Sequence, residues 1–260
     1  MKIAILGAGA FGTALGGVLA NKGYDIDYYD SRVERERLAD VLDGSKVVVL
    51  CVPSKAAPHV LPHLPKNKSL IVATKGILSD GAFAEFKDWM VLSGPGYADD
   101  IKAARLTHLT ATDKRVVEMF GTDYLDFDET EDKKGVLMCG ALKNVYAIKA
   151  GVLGIKPGTK AHEKYLQTAA AEMKVLLAAN GAEPETVDLN CGIGDLRITC
   201  YYPSRNYEYG QALRAGLKMG PSKTVEGLSA LKRIKRREII VPEGLEIISS
   251  ILAEVKYGGR

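Results

Sequence analysis

The chain has 260 residues, of which 47% are hydrophobic and 26% charged, with a formal net charge of +3. That length allows one large domain or two smaller ones with ample core, and that charge is too small for a nucleic-acid binder while suiting a small anionic substrate. Four scattered cysteines with no C-x-x-C pair exclude a zinc cluster or a disulfide framework and make a reducing cytoplasm the expected location.

Other classes fall away quickly. Met1 leads straight into a core strand, so no signal peptide is expected. No apolar run reaches the roughly 20 residues of a bilayer span. His59 and His63 sit among prolines with no carboxylate at ligand spacing, so no metal is expected. The basic run from Lys232 to Arg237 reads as a solvated helix face.

Lys2 to Leu6 is a short apolar strand. Gly7-Ala8-Gly9-Ala10-Phe11-Gly12 follows, then a helix through Asn21, then a strand from Ile26 to Tyr29 that ends in Asp30. Strand, G-x-G-x-x-G, helix, strand and acid form the dinucleotide fingerprint in its required context. Gly7 permits the tight turn, Gly9 lets the backbone approach a pyrophosphate, and Gly12 lets helix and strand pack closely. The helix N-terminus offers N–H donors and dipole to the phosphates. Asp30 suits the ribose hydroxyls of NAD, whereas Arg32 suits the 2′-phosphate of NADP; the position of Asp30 favours NAD.

Further strands are expected at Lys46 to Val52, Leu70 to Thr74, Val91-Leu92, Thr107 to Thr112 and Tyr124 to Phe127. The first of these runs into Pro53-Ser54 at a carboxyl edge, where ligands bind. Lys75 stands at the end of the second, either as a loop lysine or pointing into the crevice. Ser93-Gly94-Pro95-Gly96-Tyr97-Ala98 is small enough for close backbone approach. Together these make a doubly wound α/β Rossmann domain over residues 1–132.

Residues 133–260 read as an all-helical domain. The run from Val136 to Leu153 is apolar on nearly every side, so the helix is expected to be buried. Lys143 lies within it. A buried ammonium needs a carboxylate, a water-filled cleft or an anionic substrate. Lys143 therefore either snorkels to the surface or acts as an acid/base. Helices are expected over Ala161 to Asn180, after Ser204 as N-cap, after Thr224-Val225-Glu226-Gly227, and from Pro242. Asn190 to Cys200 reads as an irregular glycine-containing loop, in which Asp195 is a capping residue or the partner of Lys143. Arg205, at a helix start, is a surface residue or an anion-binding fork. The active site is expected in the cleft between the two domains.

Taken in order, GAGAFGTAL from Gly7, VPS from Val52, KG at Lys75, SGPGYA from Ser93, GALKNVYAI from Gly140, AEMKVLLAANGAEPETV from Ala171, GIGDLRITC from Gly192, SRN from Ser204 and VEG from Val225 make the chain resemble the soluble NAD(P)-dependent glycerol-3-phosphate dehydrogenases. The resemblance implies a second domain like the C-terminal domain of 6-phosphogluconate dehydrogenase. It implies oxidoreduction between sn-glycerol 3-phosphate and dihydroxyacetone phosphate with NAD or NADP, supplying glycerol phosphate for phospholipid synthesis, in a cytoplasmic homodimer. Lys143 matches the family's proton acceptor, with Lys75 and Asp195 beside it as catalytic groups. Lys75, Gly94, Lys143, Asp195, Ser204, Arg205 and Asn206 match substrate-contacting positions. The cofactor set comprises Gly7, Gly9, Ala10, Phe11, Gly12, Asp30, Arg32, Pro53, Lys75, Ala98, Arg205, Thr224 and Glu226. Two features depart from the family: Gly96 replaces a hydroxyl or amide side chain, and the segments 31–46 and 76–90 are short. Another two-domain hydroxy-acid or keto-acid reductase, or a catalytically idle NAD(P)-binding sensor, are the alternatives.

Overall fold

A computed structural model describes residues 1–32, 37–77, 80–201, 204–217 and 225–255. The chain divides into two compact units, Met1–Lys75 with Asp80–Val136, and Gly76–Ser79 with Leu137–Arg260.

The first unit is built on a seven-stranded sheet. Its strands are β1 (Lys2–Leu6), β2 (Asp25–Tyr29), β3 (Val47–Leu50), β4 (Ser69–Val72), β5 (Trp89–Ser93), β6 (Thr107–Ala111) and β7 (Leu125–Glu129), in the order β2-β1-β3-β4-β5-β6-β7. The first five in that order are parallel. β6 then pairs antiparallel with β5, and β7 parallel with β6. The sequence pattern located these last strands but carried no sign of the reversal, because a buried run has the same period in either direction.

The connections include α1 (Ala10–Asn21), α2 (Leu38–Leu42), α3 (Ala57–Val60), α4 (Ala98–Lys102) and α5 (Lys114–Phe120). Alternate strand residues Ile3, Ile5, Val49, Ile71, Leu92 and Leu109 share one core with Leu15 and Leu19 of α1, Ile101 of α4 and Phe120 of α5. The intervening residues Ala4, Leu6, Val48, Leu50 and Val72 are buried as well, as expected of a parallel sheet covered on both faces. Each such Leu, Ile or Val side chain contributes about 1.5–3 kcal/mol when fully buried.

The helical unit is formed around α6 (Lys133–Leu153), with α7 (Lys160–Ala179), α8 (Asp195–Thr199), α9 (Arg205–Arg214), α10 (Glu226–Lys235) and α11 (Glu246–Glu254). The division between the units falls inside the first turns of α6, after Val136. Every residue of α6 from Gly135 to Gly151 is buried. At 21 residues, α6 is long and apolar enough to cross a bilayer by length and composition, more than the apolar run alone suggested, yet most of it is packed inside the protein. It is a core helix.

Two readings of this half change. Asn190 to Cys200 is not an irregular loop: Asn190–Gly194 forms a π-type turn that runs directly into α8. Glycines that look like loop signals serve packing here, since a Cβ on Gly192 would overlap the backbone of Val187. The last helix begins at Glu246 and not at Pro242. Gly244 intervenes with φ 84°, a conformation no helix contains. Buried Glu172 of α7 caps the helix at its actual start: its Oε1 and Oε2 accept the N–H groups of Ile247 and Ile248 at 2.7 and 3.1 Å.

Candidate active site

In the first unit the strand order reverses direction between β1 and β3, which is where an open α/β sheet binds ligands. Gly7 follows β1 with φ 109°, and a Cβ on it would lie 2.7 Å from Cys51 O at the end of β3. A Cβ on Gly12 would overlap Gly7 O. These two positions leave no room for a side chain. Gly9 is the opposite case: a Cβ on it would meet nothing within 4 Å. Its backbone faces open space at the start of α1, whose first turn has neither a side-chain cap nor an acid. Exposed Ala10 and half-buried Phe11 continue the same turn, and Pro53 is exposed beyond β3. Free first-turn amides, a dipole end and room for close approach fit the pyrophosphate of a dinucleotide.

Asp30 lies at the end of β2. Its Oδ1 accepts from Arg32 N at 3.0 Å and Arg32 Nε at 2.9 Å, and its Oδ2 accepts from Arg32 Nη2. These bonds hold the Asp30 carboxyl below its usual range, the side-chain hydrogen bond being the main cause. Read separately from sequence, the two residues made opposing statements about the cofactor. Folded, they are one neutral pair with an exposed guanidinium.

Lys75 Nζ donates to Gly94 O at 3.0 Å and stands 5.4 Å from the centre of the Phe11 ring. Three residues singled out from separate motifs are therefore together. Ala98 opens α4, which packs on α1. Gly96 is accounted for by its neighbours: a Cβ would lie 3.0 Å from Leu109 Cδ2 and 3.5 Å from both Ile101 Cδ1 and Phe11 Cε2. Hydrocarbon therefore borders this position on three sides.

In the helical unit Lys143 does not snorkel. It is 3% exposed and forms an ion pair with Asp195, which is 0% exposed. Asp195 is the first residue of α8, and Thr199 Oγ1 donates to its carbonyl at 2.6 Å and reaches Oδ1 at 3.5 Å. Burying two charges is costly, and removing one partner of such a pair costs about 3–5 kcal/mol. Burial raises the pKa of the adjacent Cys200 thiol, so that group stays neutral beside the pair. Among the described residues no cluster of His, Cys, Asp and Glu is placed to hold a metal.

Ser204 occupies the N-cap position of α9 but makes no side-chain capping bond. Arg205, the first residue of α9, is exposed, whereas Asn206 is buried. Glu226, half-buried, opens α10. Thr224 lies outside the described residues. Asn144 and Glu172 were overlooked in the sequence. Asn144 follows Lys143 in an apolar helix and is 5% exposed; a second polar residue in that run was the available signal. Glu172 accepts from Tyr146 OH at 3.1 Å besides its two backbone donors. It stands three residues after Ala169 and four before Leu176, on the buried face of α7, and that spacing was the available signal.

Residues 132–255 match a family model described as the NAD-dependent glycerol-3-phosphate dehydrogenase C-terminus. The chain is 32% identical to a glycerol-3-phosphate dehydrogenase [NAD(P)+] of Pseudomonas entomophila, covering 99% of this chain and 90% of that protein. It is 33% identical to one of Cereibacter sphaeroides, covering 99% and 94%. Among solved structures, glycerol-3-phosphate dehydrogenase from Coxiella burnetii superposes with a TM-score of 0.80 at 25% identity, over 98% of this chain and 95% of that one. A ketopantoate reductase from Staphylococcus aureus, at 16% identity and a TM-score of 0.55, shares the fold.

Proposed function

Because the chain belongs to the glycerol-3-phosphate dehydrogenase family, we propose that it interconverts sn-glycerol 3-phosphate and dihydroxyacetone phosphate with NAD or NADP, with Lys143 as the proton-transfer group. The observation that carries this reading is the buried Lys143–Asp195 pair. A lysine so enclosed is held by its carboxylate and has no solvent role.

When bound, the nicotinamide supplies a ring that accepts or donates a hydride. Oxidation of the alcohol at C2 releases one hydride and one proton. Lys143 Nζ, as the neutral amine, takes that proton from the hydroxyl; in reduction the ammonium returns it to the carbonyl oxygen. Asp195 orients Lys143 and balances its charge when protonated. Lys75 donates a hydrogen bond to the reacting oxygen and stabilises negative charge developing there. Arg205, with Ser204 and Asn206 beside it at the start of α9, binds the phosphate through a guanidinium fork and a positive helix end. Gly9, with Ala10 and Phe11, holds the pyrophosphate by backbone approach, and Gly7 and Gly12 let the turn and α1 close tightly enough to present it. Asp30 and Arg32 take the adenosine ribose, and Pro53, Ala98, Thr224, Glu226 and Arg205 complete the cofactor contacts. We take the protein as a cytoplasmic homodimer, which sedimentation tests by the presence of a species of twice the chain mass.

The test is the loss of NADH or NADPH absorbance with dihydroxyacetone phosphate, run beside unphosphorylated dihydroxyacetone and simple keto acids. Turnover is expected only with the phosphorylated ketone. Turnover of keto acids in its place, or none with either cofactor in folded protein, refutes the reading.

A further inference from the structure

Phe11 is the second residue of α1, and Lys75 lies three residues past the end of β4. Lys75 Nζ stands 5.4 Å from the centre of the Phe11 ring and donates to Gly94 O at 3.0 Å. A lysine ammonium within about 6 Å of an aromatic ring centre is attracted by the negative face of the ring. A carbonyl and a ring therefore hold the same side chain.

Both holds are themselves fixed. Gly94 O also accepts the Gly96 N–H at 2.8 Å. A Cβ on Gly94 would lie 2.9 Å from Leu109 Cα, so this carbonyl is carried on a turn pressed against β6. Phe11 is half-buried and packs against the sheet core. A Cβ on Gly96 would lie 3.5 Å from Phe11 Cε2 and 3.0 Å from Leu109 Cδ2. A larger side chain at 96 would push on the ring. Phe11, Lys75, Gly94 and Gly96 all belong to the first unit.

We propose that the Phe11 ring is a positioning group for Lys75, and that Gly96 keeps its place clear. A lysine carries a compact charge on a flexible four-carbon stem. Such a stem does not hold one direction unaided, and a misplacement of about 1 Å costs on the order of 10²-fold in rate. In the proposed function the backbone of residue 11 serves the pyrophosphate. Its ring serves the lysine. One residue of the glycine fingerprint thus ties the cofactor cradle to the group that meets the reacting oxygen. That role of Lys75 rests on the proposed function; the contact with the ring does not.

The experiment compares Phe11→Leu, Phe11→Tyr, Lys75→Met and the double variant of Phe11→Leu with Lys75→Met. It reads turnover of dihydroxyacetone phosphate, NADH affinity from fluorescence titration without substrate, and the unfolding midpoint. Phe11→Leu keeps apolar bulk and removes the ring face. It is expected to lower kcat about 3- to 30-fold, the loss of one cation–π contact, and to leave NADH affinity nearly unchanged because the amide at 11 remains. Phe11→Tyr keeps the ring and is expected to retain most of the parental kcat. In the slow Lys75→Met background, Phe11→Leu is expected to cost nothing further, because its partner is gone. Parental kcat in Phe11→Leu overturns the proposal, whatever the midpoint does. So does a Phe11→Tyr variant no better than Phe11→Leu. A loss equally large in the Lys75→Met background, or one seen only as weaker NADH binding, marks a ring that serves the cofactor alone and overturns it too. If Phe11→Leu does not fold, Gly96→Val decides: it keeps both partners and displaces the ring, so kcat at the parental level overturns the proposal by itself. If the parent reduces dihydroxyacetone phosphate with neither cofactor, the dehydrogenase reading fails and the midpoints judge the contact. Lys75→Met should then lower the midpoint more in the parent than in Phe11→Leu, and equal shifts overturn it.

Discussion

The sheet unit and the helical unit present their candidate groups in different materials. In the first, the pieces are backbone: the open amide end of α1, the close approach of Gly7 to Cys51 O, and Gly94 O receiving Lys75. In the second they are ionised and amide side chains enclosed in helices, with Lys143 and Asp195 almost wholly buried. A backbone cradle is set by which residues lack a Cβ, so its tolerance is steric. A buried charge is set by its partner, so its tolerance is electrostatic. Substitutions should therefore fail in different ways in the two units.

The largest effect is expected at Lys143. Lys143→Ala should lower kcat about 10²–10⁴-fold, read as NADH absorbance loss, with NADH affinity unchanged. Normal turnover would sink the proton-transfer assignment. Next is Asp195→Ala, which leaves an ammonium enclosed without its carboxylate and should cost about 3–5 kcal/mol in urea unfolding. Replacing both residues by Met and Leu should recover much of that stability though not the activity. If the single and double variants unfold alike, the pair is not the electrostatic unit described. In the sheet unit, Gly12→Ala should instead leave catalytic groups intact and weaken NADH binding by about tenfold, since overpacking against Gly7 O costs about 1–3 kcal/mol. Unchanged affinity would remove the steric half of the comparison.

Arg32→Ala is a smaller and more selective probe. It unmasks the Asp30 charge and removes the exposed guanidinium. NADPH affinity should fall about tenfold, in keeping with the loss of a charge-assisted bond, while NADH affinity stays within about threefold. An equal effect on both cofactors would mean that the Asp30–Arg32 pair does not set cofactor choice.

The smallest effect concerns pH. His162 of α7 is buried, its Nδ1 accepts the Gly158 N–H at 3.3 Å, and burial depresses its pKa below 6.5. The unfolded chain thus binds the proton first. The stabilisation is present above pH 6.5 and is lost as pH falls through the lower folded value. The unfolding midpoint should drop between pH 7 and pH 5, and His162→Asn, which keeps an acceptor for Gly158, should flatten that slope. A parallel slope in the variant would assign it to other groups.

Much of this was legible in the chain. The glycine fingerprint carries its own geometry, because each glycine answers a local steric demand. Continuous apolar runs announced the strands of a sheet covered on both faces, and one apolar helix carried a lysine that had to be explained. Beyond that, sequence stopped at pairs and directions. It could not say that β6 reverses, because period 2 has no polarity. It set Asp30 against Arg32, where the fold joins them. It read Asn190 to Cys200 as a loop, because glycines that pack backbones look like glycines that break helices. The residues alone left Lys143 between a surface position and an acid/base role until the family resemblance chose the second, and they passed over Asn144 and Glu172. The physical reason is common to all of these. A backbone demand is satisfied within a few residues, and so is written locally. The partner of a buried polar group lies far along the chain, as Asp195 does from Lys143 and Ile247 from Glu172, and only the tertiary structure decides which groups meet.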